Sequence, residues 1–305
     1  MKKRNPLGHL KKKMESVSQK QRIVITGASG QLGQELKVLL DQDGSKECFF
    51  LDRKQLPLDQ ITIIQDILSM YQPDLIIHAG AYTAVDQAES EAELADQVNH
   101  LASEEIALYC RLHGAQLIAI STDYVFDGNS SVALTEEAPV NPINIYGETK
   151  LKGEQAILKW CPEAIIIRTS WVYSTFGKNF VKTMLRLLSE RDSISVINDQ
   201  IGSPTSAQDL AQAIVDIINS GKWKGGVYHY SNEGEISWYD FAVAIRDIKG
   251  LTCEIQGIPT TAYPTPAKRP QYSLLDKTKI KATFGVEVPF WKDSLVRCLD
   301  NEVLK

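Results

Sequence analysis

Apolar positions in the first half of the chain fall into two alternating kinds of run. Short stretches at residues 22–26, 47–51, 74–78, 117–121 and 164–168 have the length of buried strands. Between the first two, residues 31–42 repeat leucines at helical spacing through Leu32, Leu36, Leu39 and Leu40. Residues 61–71, 91–113 and 146–160 also read as helices. This alternation predicts an α/β fold: a doubly wound parallel sheet of the Rossmann kind, with helices on both faces.

Beyond residue 170 the regularity drops. Helices are expected at 179–190, 206–219, 237–249 and 289–303, joined by connections rich in Gly and Pro. The connection 258–270 alone carries Pro259, Pro264, Pro266 and Pro270. Residues 171–305 are therefore expected to form a smaller C-terminal substrate lobe over the mouth of the sheet, with some segments returning to the domain at 21–170. Residues 1–20 differ from the rest. Lys2, Lys3, Arg4, Lys11, Lys12, Lys13 and Lys20 make them a basic leader, expected to be disordered or left from expression, with Met14 as a candidate start.

Composition narrows the function. Apolar content of 43%, charged content of 23% and a net charge of -5 suit a globular enzyme and argue against nucleic-acid binding. No apolar run is long enough to span a bilayer, so no membrane partner is expected. Cys48, Cys110, Cys161, Cys253 and Cys298 are odd in number and scattered, which suits free thiols in the cytoplasm. The histidines lack metal-ligand spacing, so no metal site is expected from the residues.

Strand 22–26 runs directly into Gly27-Ala28-Ser29-Gly30-Gln31-Leu32-Gly33, and a helix follows. Glycines here permit a tight turn, close approach of the backbone to a pyrophosphate, and close helix–strand packing. The helix start offers free N–H groups and the positive end of its dipole to phosphate. Asp52 ends the second strand, where a carboxylate would hydrogen-bond the ribose of NAD. Arg53 follows and suits the 2′-phosphate of NADP, so NADPH or NADH is the expected cofactor.

Tyr146 and Lys150 lie four apart, on one face of a helix. An ammonium beside a phenol favours the phenolate and is expected to draw the Tyr146 pKa down from about 10 toward neutrality. Ser121-Thr122-Asp123-Tyr124-Val125-Phe126 sits at the carboxyl end of a buried strand, where open parallel sheets place ligands. Thr122 is expected to orient a carbonyl beside Tyr146. Tyr146, Lys150 and Thr122 are the candidate catalytic set, with Tyr146 as proton donor and Lys150 holding both the phenol and the nicotinamide ribose.

With these residues the chain resembles the sugar-nucleotide branch of the extended short-chain dehydrogenase/reductases. Further matching runs are Ala81-Tyr82-Thr83-Ala84-Val85-Asp86, Arg168-Thr169-Ser170-Trp171-Val172-Tyr173, Gly202-Ser203-Pro204-Thr205 and Tyr263-Pro264-Thr265-Pro266-Ala267-Lys268-Arg269-Pro270. The resemblance runs from Ile23 through nearly the whole chain and implies reduction of the C4 keto group of a dTDP-linked 6-deoxy sugar. It implies that Gly30, Gln31 and Leu32 hold the pyrophosphate, with Gly27 and Gly33 in the same cofactor-binding turn. Ala81, Tyr82, Thr83 and Ile120 complete the cofactor site. Asp123, Tyr124, Trp171, Asn179 and Arg269 join Thr122 in binding the nucleotide sugar. Mg²⁺ and a homodimer are allowed by resemblance alone. Residues 56–60 depart from the family pattern, so Leu58 and Asp59 are not expected to meet the adenine side.

Two rivals remain. A 4,6-dehydratase or 4-epimerase shares the scaffold, but dehydratases read Thr-Asp-Glu after this strand, and Tyr124 takes the place of that glutamate base. A non-catalytic regulatory subunit of the methionine adenosyltransferase type belongs to the same branch. Thr122, Tyr146 and Lys150 together argue against it.

Overall fold

The computed structural model describes residues 20–301, so residues 1–19 of the basic leader and the predicted helical end at 302–303 lie outside the described residues. β1 (Gln21–Thr26), α1 (Gln31–Leu40), β2 (Lys46–Leu51), α2 (Ile64–Tyr71) and β3 (Leu75–His78) come first. α3 (Val85–Ala88) and α4 (Ala92–Asp96) lead through a π-helical turn at Gln97–Leu101 into α5 (Ala102–His113). β4 (Gln116–Thr122), α6 (Ile145–Trp160) and β5 (Ile165–Thr169) follow.

The second half begins with β6 (Val172–Tyr173), α7 (Phe180–Glu190), β7 (Ser193–Ile197), β8 (Ile201–Gly202) and β9 (Thr205–Ser206). Next come α8 (Ala207–Asn219), β10 (Gly226–His229), β11 (Ile236–Ser237) and α9 (Trp238–Ile248). β12 (Glu254–Ile258), α10 (Thr278–Phe284) and α11 (Trp291–Asn301) complete the described chain.

Six strands pair in parallel in the order β10-β5-β4-β3-β1-β2. Both faces are covered. Ile23 and Ile25 pack with Leu36 of α1 and Ile214 of α8, while Val24 packs with Leu68, Ile106 and Ile157 from the opposite helices. This two-sided burial explains why the strands read as nearly unbroken apolar runs. After β2 the chain turns at 52–60 straight into α2 and crosses back to β3 on the far side of β1. The strand order reverses between β1 and β3, and that crevice at the carboxyl ends is where such sheets bind ligands.

The predicted helices at 179, 206 and 237 each begin one residue late, because those residues are caps. The side chains of Asn179, Ser206 and Ser237 accept from Lys182, Asp209 and Asp240 backbone N–H groups, respectively. α7, α9 and α11 enclose a second core with the parallel pair β7–β12, around Leu185, Phe241 and Leu295. β10 instead joins the main sheet beside β5, and α8 packs on the α1 face. The two-residue strands were not predicted, since runs so short carry no periodicity.

Candidate active site

The first βα turn is built for close approach. A Cβ on Gly33 would lie 2.4 Å from the Gly27 carbonyl oxygen, so only glycine lets α1 start this close to β1. Gly30 caps α1 without any side-chain bond to the helix, leaving its first N–H groups to a ligand. This turn forms one end of a cleft of about 970 Å³, within the roughly 300–1,000 Å³ of small-molecule sites. Gly27, Gly30, Gln31, Leu32 and Gly33 line that end, and Ala81, Tyr82, Thr83 and Ile120 line its flank.

Thr122, Asp123, Tyr124, Tyr146 and Lys150 meet in the same cleft. α6 brings Tyr146 there because its start is pressed onto the turn after β4: a Cβ on Gly147 would sit 2.1 Å from the Tyr124 carbonyl oxygen. Asn144 caps the helix by accepting from Gly147 N–H at 2.7 Å. The Tyr146 ring meets Tyr124 edge-on, 5.6 Å between centroids. Thr122 donates to Asp123 Oδ1 at 3.1 Å and accepts from Tyr124 N–H at 3.2 Å. Lys150 Nζ donates to the Ile120 carbonyl at 2.7 Å.

Burial dominates the electrostatics and reverses one expectation. The Tyr146 phenol is pushed up to about 12 by burial, partly offset by a bond with the Thr122 hydroxyl. The expected drop toward neutrality is therefore corrected: the phenol is desolvated, and the ammonium is bound to a carbonyl instead. Burial also draws Lys150 down to about 8, opposed by Glu154. Asp123 is raised to about 6 by burial, with the Ser273 and Thr122 hydroxyls pulling it back. Tyr124 is raised by burial and by the Asp123 charge, so it is a proton holder rather than a base.

The other expected contacts already have partners within the protein. Asp52 does not line the cleft: its Oδ1 accepts from the backbone N–H groups of Lys54 and Gln55, at 2.8 and 3.1 Å, and closes its own turn. Arg269 grips Asp86 through both nitrogens at 3.0 and 2.8 Å and also bonds Tyr124, which lines the cleft. Leu58 and Asp59, not expected as contacts, do line the cleft with Arg53, whose Nη2 donates to Asp59 at 3.1 Å. Asn179 reaches the wall, but its amide is engaged: it donates to Gln31 Oε1 at 2.9 Å and to the Ser174 carbonyl at 2.7 Å.

Trp171 lines the cleft in a left-handed backbone conformation, φ +48°, which is uncommon for a bulky residue and recurs at ligand sites. Its indole stacks on Trp238 at 3.7 Å, and Trp238 was absent from the expected set. An aromatic in the first turn after a capping box was its only signal. Asn99 was missed as well. Held in the π-helical turn, it accepts from Tyr82 N–H at 2.9 Å and donates to Thr149 Oγ1 at 3.1 Å, tying the cleft flank to α6.

A glycine turn and a Tyr-x-x-x-Lys helix facing one cleft of a parallel sheet define an oxidoreductase of the short-chain dehydrogenase/reductase class. Within that class, the model for the RmlD substrate binding domain matches residues 21–304, and the chain belongs to that family. It is similar to the dTDP-4-dehydrorhamnose reductase of Aggregatibacter actinomycetemcomitans, 42% identical over 90% of this chain and 97% of that one. A solved dTDP-4-dehydrorhamnose reductase from Bacillus anthracis, in complex with NADP, is 38% identical with a TM-score of 0.87, covering 92% of this chain and 99% of that one. The corresponding Clostridium acetobutylicum structure is 37% identical with a TM-score of 0.88, covering 91% and 98%.

Proposed function

We propose that this chain reduces the C4 keto group of dTDP-4-dehydro-6-deoxy-L-mannose to give dTDP-L-rhamnose, with NADPH or NADH. The carrying observation is that Thr122, Tyr146 and Lys150 together line the cleft that the glycine turn opens, with Thr122 and Lys150 buried and Tyr146 half-buried. A bound reduced nicotinamide supplies the hydride to C4, whose π electrons move to oxygen. Thr122 and Tyr146 hold that oxygen, and Tyr146 passes its proton to it. A phenol kept neutral by burial is loaded as an acid throughout the neutral range. Lys150 then stabilises the phenolate left behind, and the stacked Trp171–Trp238 pair offers an apolar face to the sugar.

Among the described residues no group of three or more His, Cys, Asp or Glu is placed to hold a metal, so no step here uses Mg²⁺. Among those residues no helix is long and apolar enough to cross a membrane. Free cysteines, including Cys110 and Cys253, support the cytoplasm as its compartment.

The test is NADPH oxidation against dTDP-, UDP- and GDP-linked 4-keto-6-deoxy sugars, with any epimerase needed to set C3 and C5. Oxidation is expected with the dTDP sugar. A dehydratase would need a base where Tyr124 holds its proton, so NAD⁺ with dTDP-glucose should yield no keto sugar. Accumulation of that keto sugar, or no oxidation with any of the three, would overturn the reading.

Arg53, which lines the cleft, is our candidate for reading the cofactor ribose. Its guanidinium is 77% exposed and pairs with Asp59, leaving donors to pair with a 2′-phosphate. Arg53→Ala is expected to weaken NADPH about tenfold more than NADH, the size of one lost charge-assisted bond. Asp52→Ala should affect both cofactors alike. Dissociation constants check this, and equal losses from Arg53→Ala would mean the guanidinium does not read the ribose.

A further inference from the structure

Lys150 is a buried cation, and its surroundings decide whether it stays one. On α6, Tyr146 lies one turn before it and Glu154 one turn after. From the sheet side come the Ile120 carbonyl, the Ser121 hydroxyl, the His78 ring and, past the end of β4, Asp123. Asn99 and Ser103 face it from the helix before β4. His78 is kept neutral by burial, at about 3, between the hydroxyls of Thr26 and Ser103 at 2.8 and 3.2 Å. Asp123 turns one oxygen to Thr122.

Glu154 is different. It lines a small cavity with Lys150, and it is 3% exposed. Its two oxygens are gripped by Arg168, Nε at 2.8 Å and Nη2 at 2.7 Å. Arg168 is itself 4% exposed, lies over the Phe126 ring at 5.2 Å, and faces His229 on β10. A buried ion pair is weak evidence for stability, because desolvating both charges offsets most of their attraction. Neither side chain reaches the main cleft.

We infer that Glu154, fixed in place by Arg168, is a positioning residue for the reduction: from the small cavity it shares with Lys150, it keeps the ammonium charged beneath the cofactor ribose. This rests on the role given to Lys150 above. Burial alone works against that charge, and Glu154 is the anion that opposes it. Removing one partner or the other has opposite consequences. Glu154→Gln leaves two buried cations, Lys150 and Arg168, with no anion between them. Arg168→Met leaves Glu154 facing Lys150 without its counter-ion.

The full-length enzyme is tested by two pH profiles, kcat/KM for the keto sugar and the Kd of NADPH from tryptophan quenching. In both, the alkaline limb marks loss of the Lys150 proton. Glu154→Gln is expected to move that limb down by about one pH unit or more, and Arg168→Met to move it up. Damage to packing alone would move both variants the same way. Limbs that shift together, or not at all, overturn the inference. If a single variant does not fold, the sign of the other decides. The charge-neutral pair E154Q/R168M, which buries no lone charge, must also give a limb below wild type. A wild type that binds NADPH with such a limb but does not oxidise it with keto sugar would refute the proposed substrate and leave the Glu154 test standing.

Discussion

Tyr146→Phe is expected to lose about 10²- to 10⁴-fold in turnover, the usual worth of a general acid, while folding and binding NADPH normally. The ring stays, and with it the edge-on packing against the Tyr124 ring. The hydroxyl that disappears leaves Thr122 with two other partners, Asp123 Oδ1 and Tyr124 N–H, so no buried group is orphaned. The stability change is then about 1 kcal/mol or less. What is lost is the proton. With its pKa near 12, Tyr146 is protonated at every pH where the enzyme would be assayed, so its own titration adds no limb below that value. The alkaline limb belongs to Lys150, whose ammonium is present below about 8 and lost as pH rises through it. Single-turnover NADPH oxidation separates chemistry from binding. A near wild-type rate in Tyr146→Phe would mean that another group protonates the alkoxide.

Much of this arrangement was legible in the sequence because it is local. The strand–glycine turn–helix unit and the four-residue spacing of Tyr146 and Lys150 are set by backbone geometry that neighbouring residues dictate. The end of β4 was legible for the same reason, since a buried strand must finish at the sheet's ligand-binding edge. Side-chain direction was harder. Asp52 stands at the right position in the chain, but an Asx-type turn engages one of its carboxylate oxygens with the backbone N–H groups of Lys54 and Gln55. Arg269 is claimed by Asp86, far away in sequence. Trp238 reaches Trp171 only because the second core brings α9 to the cleft. The sign of the Tyr146 shift was also out of reach, since spacing places an ammonium nearby but does not reveal how deeply both groups are buried.

Lys150→Met should separate catalysis from stability more sharply than any other single change. Activity is expected to fall by about 10²- to 10⁴-fold, because the phenolate left by Tyr146 loses its counter-charge. NADPH affinity should fall about ten- to a hundredfold, the size of a lost charge-assisted bond to the ribose. Stability should move the other way or hardly at all. Burial lowers the Lys150 pKa from 10.5 to about 8, so the folded state carries a cost for its charge. That cost is full below pH 8, about 3 kcal/mol by linkage, and shrinks as pH rises from 8 to 10.5. Methionine removes it and keeps the apolar stem, while Glu154 and Arg168 still neutralise each other. Against this, the Ile120 carbonyl loses its donor, at a cost of about 1–3 kcal/mol. The two nearly cancel at pH 7. The melting temperature of Lys150→Met should therefore match or exceed wild type at neutral pH and lose ground relative to it toward pH 10. A variant that melts well below wild type at pH 7 would mean that the buried ammonium holds the fold together rather than burdening it for catalysis.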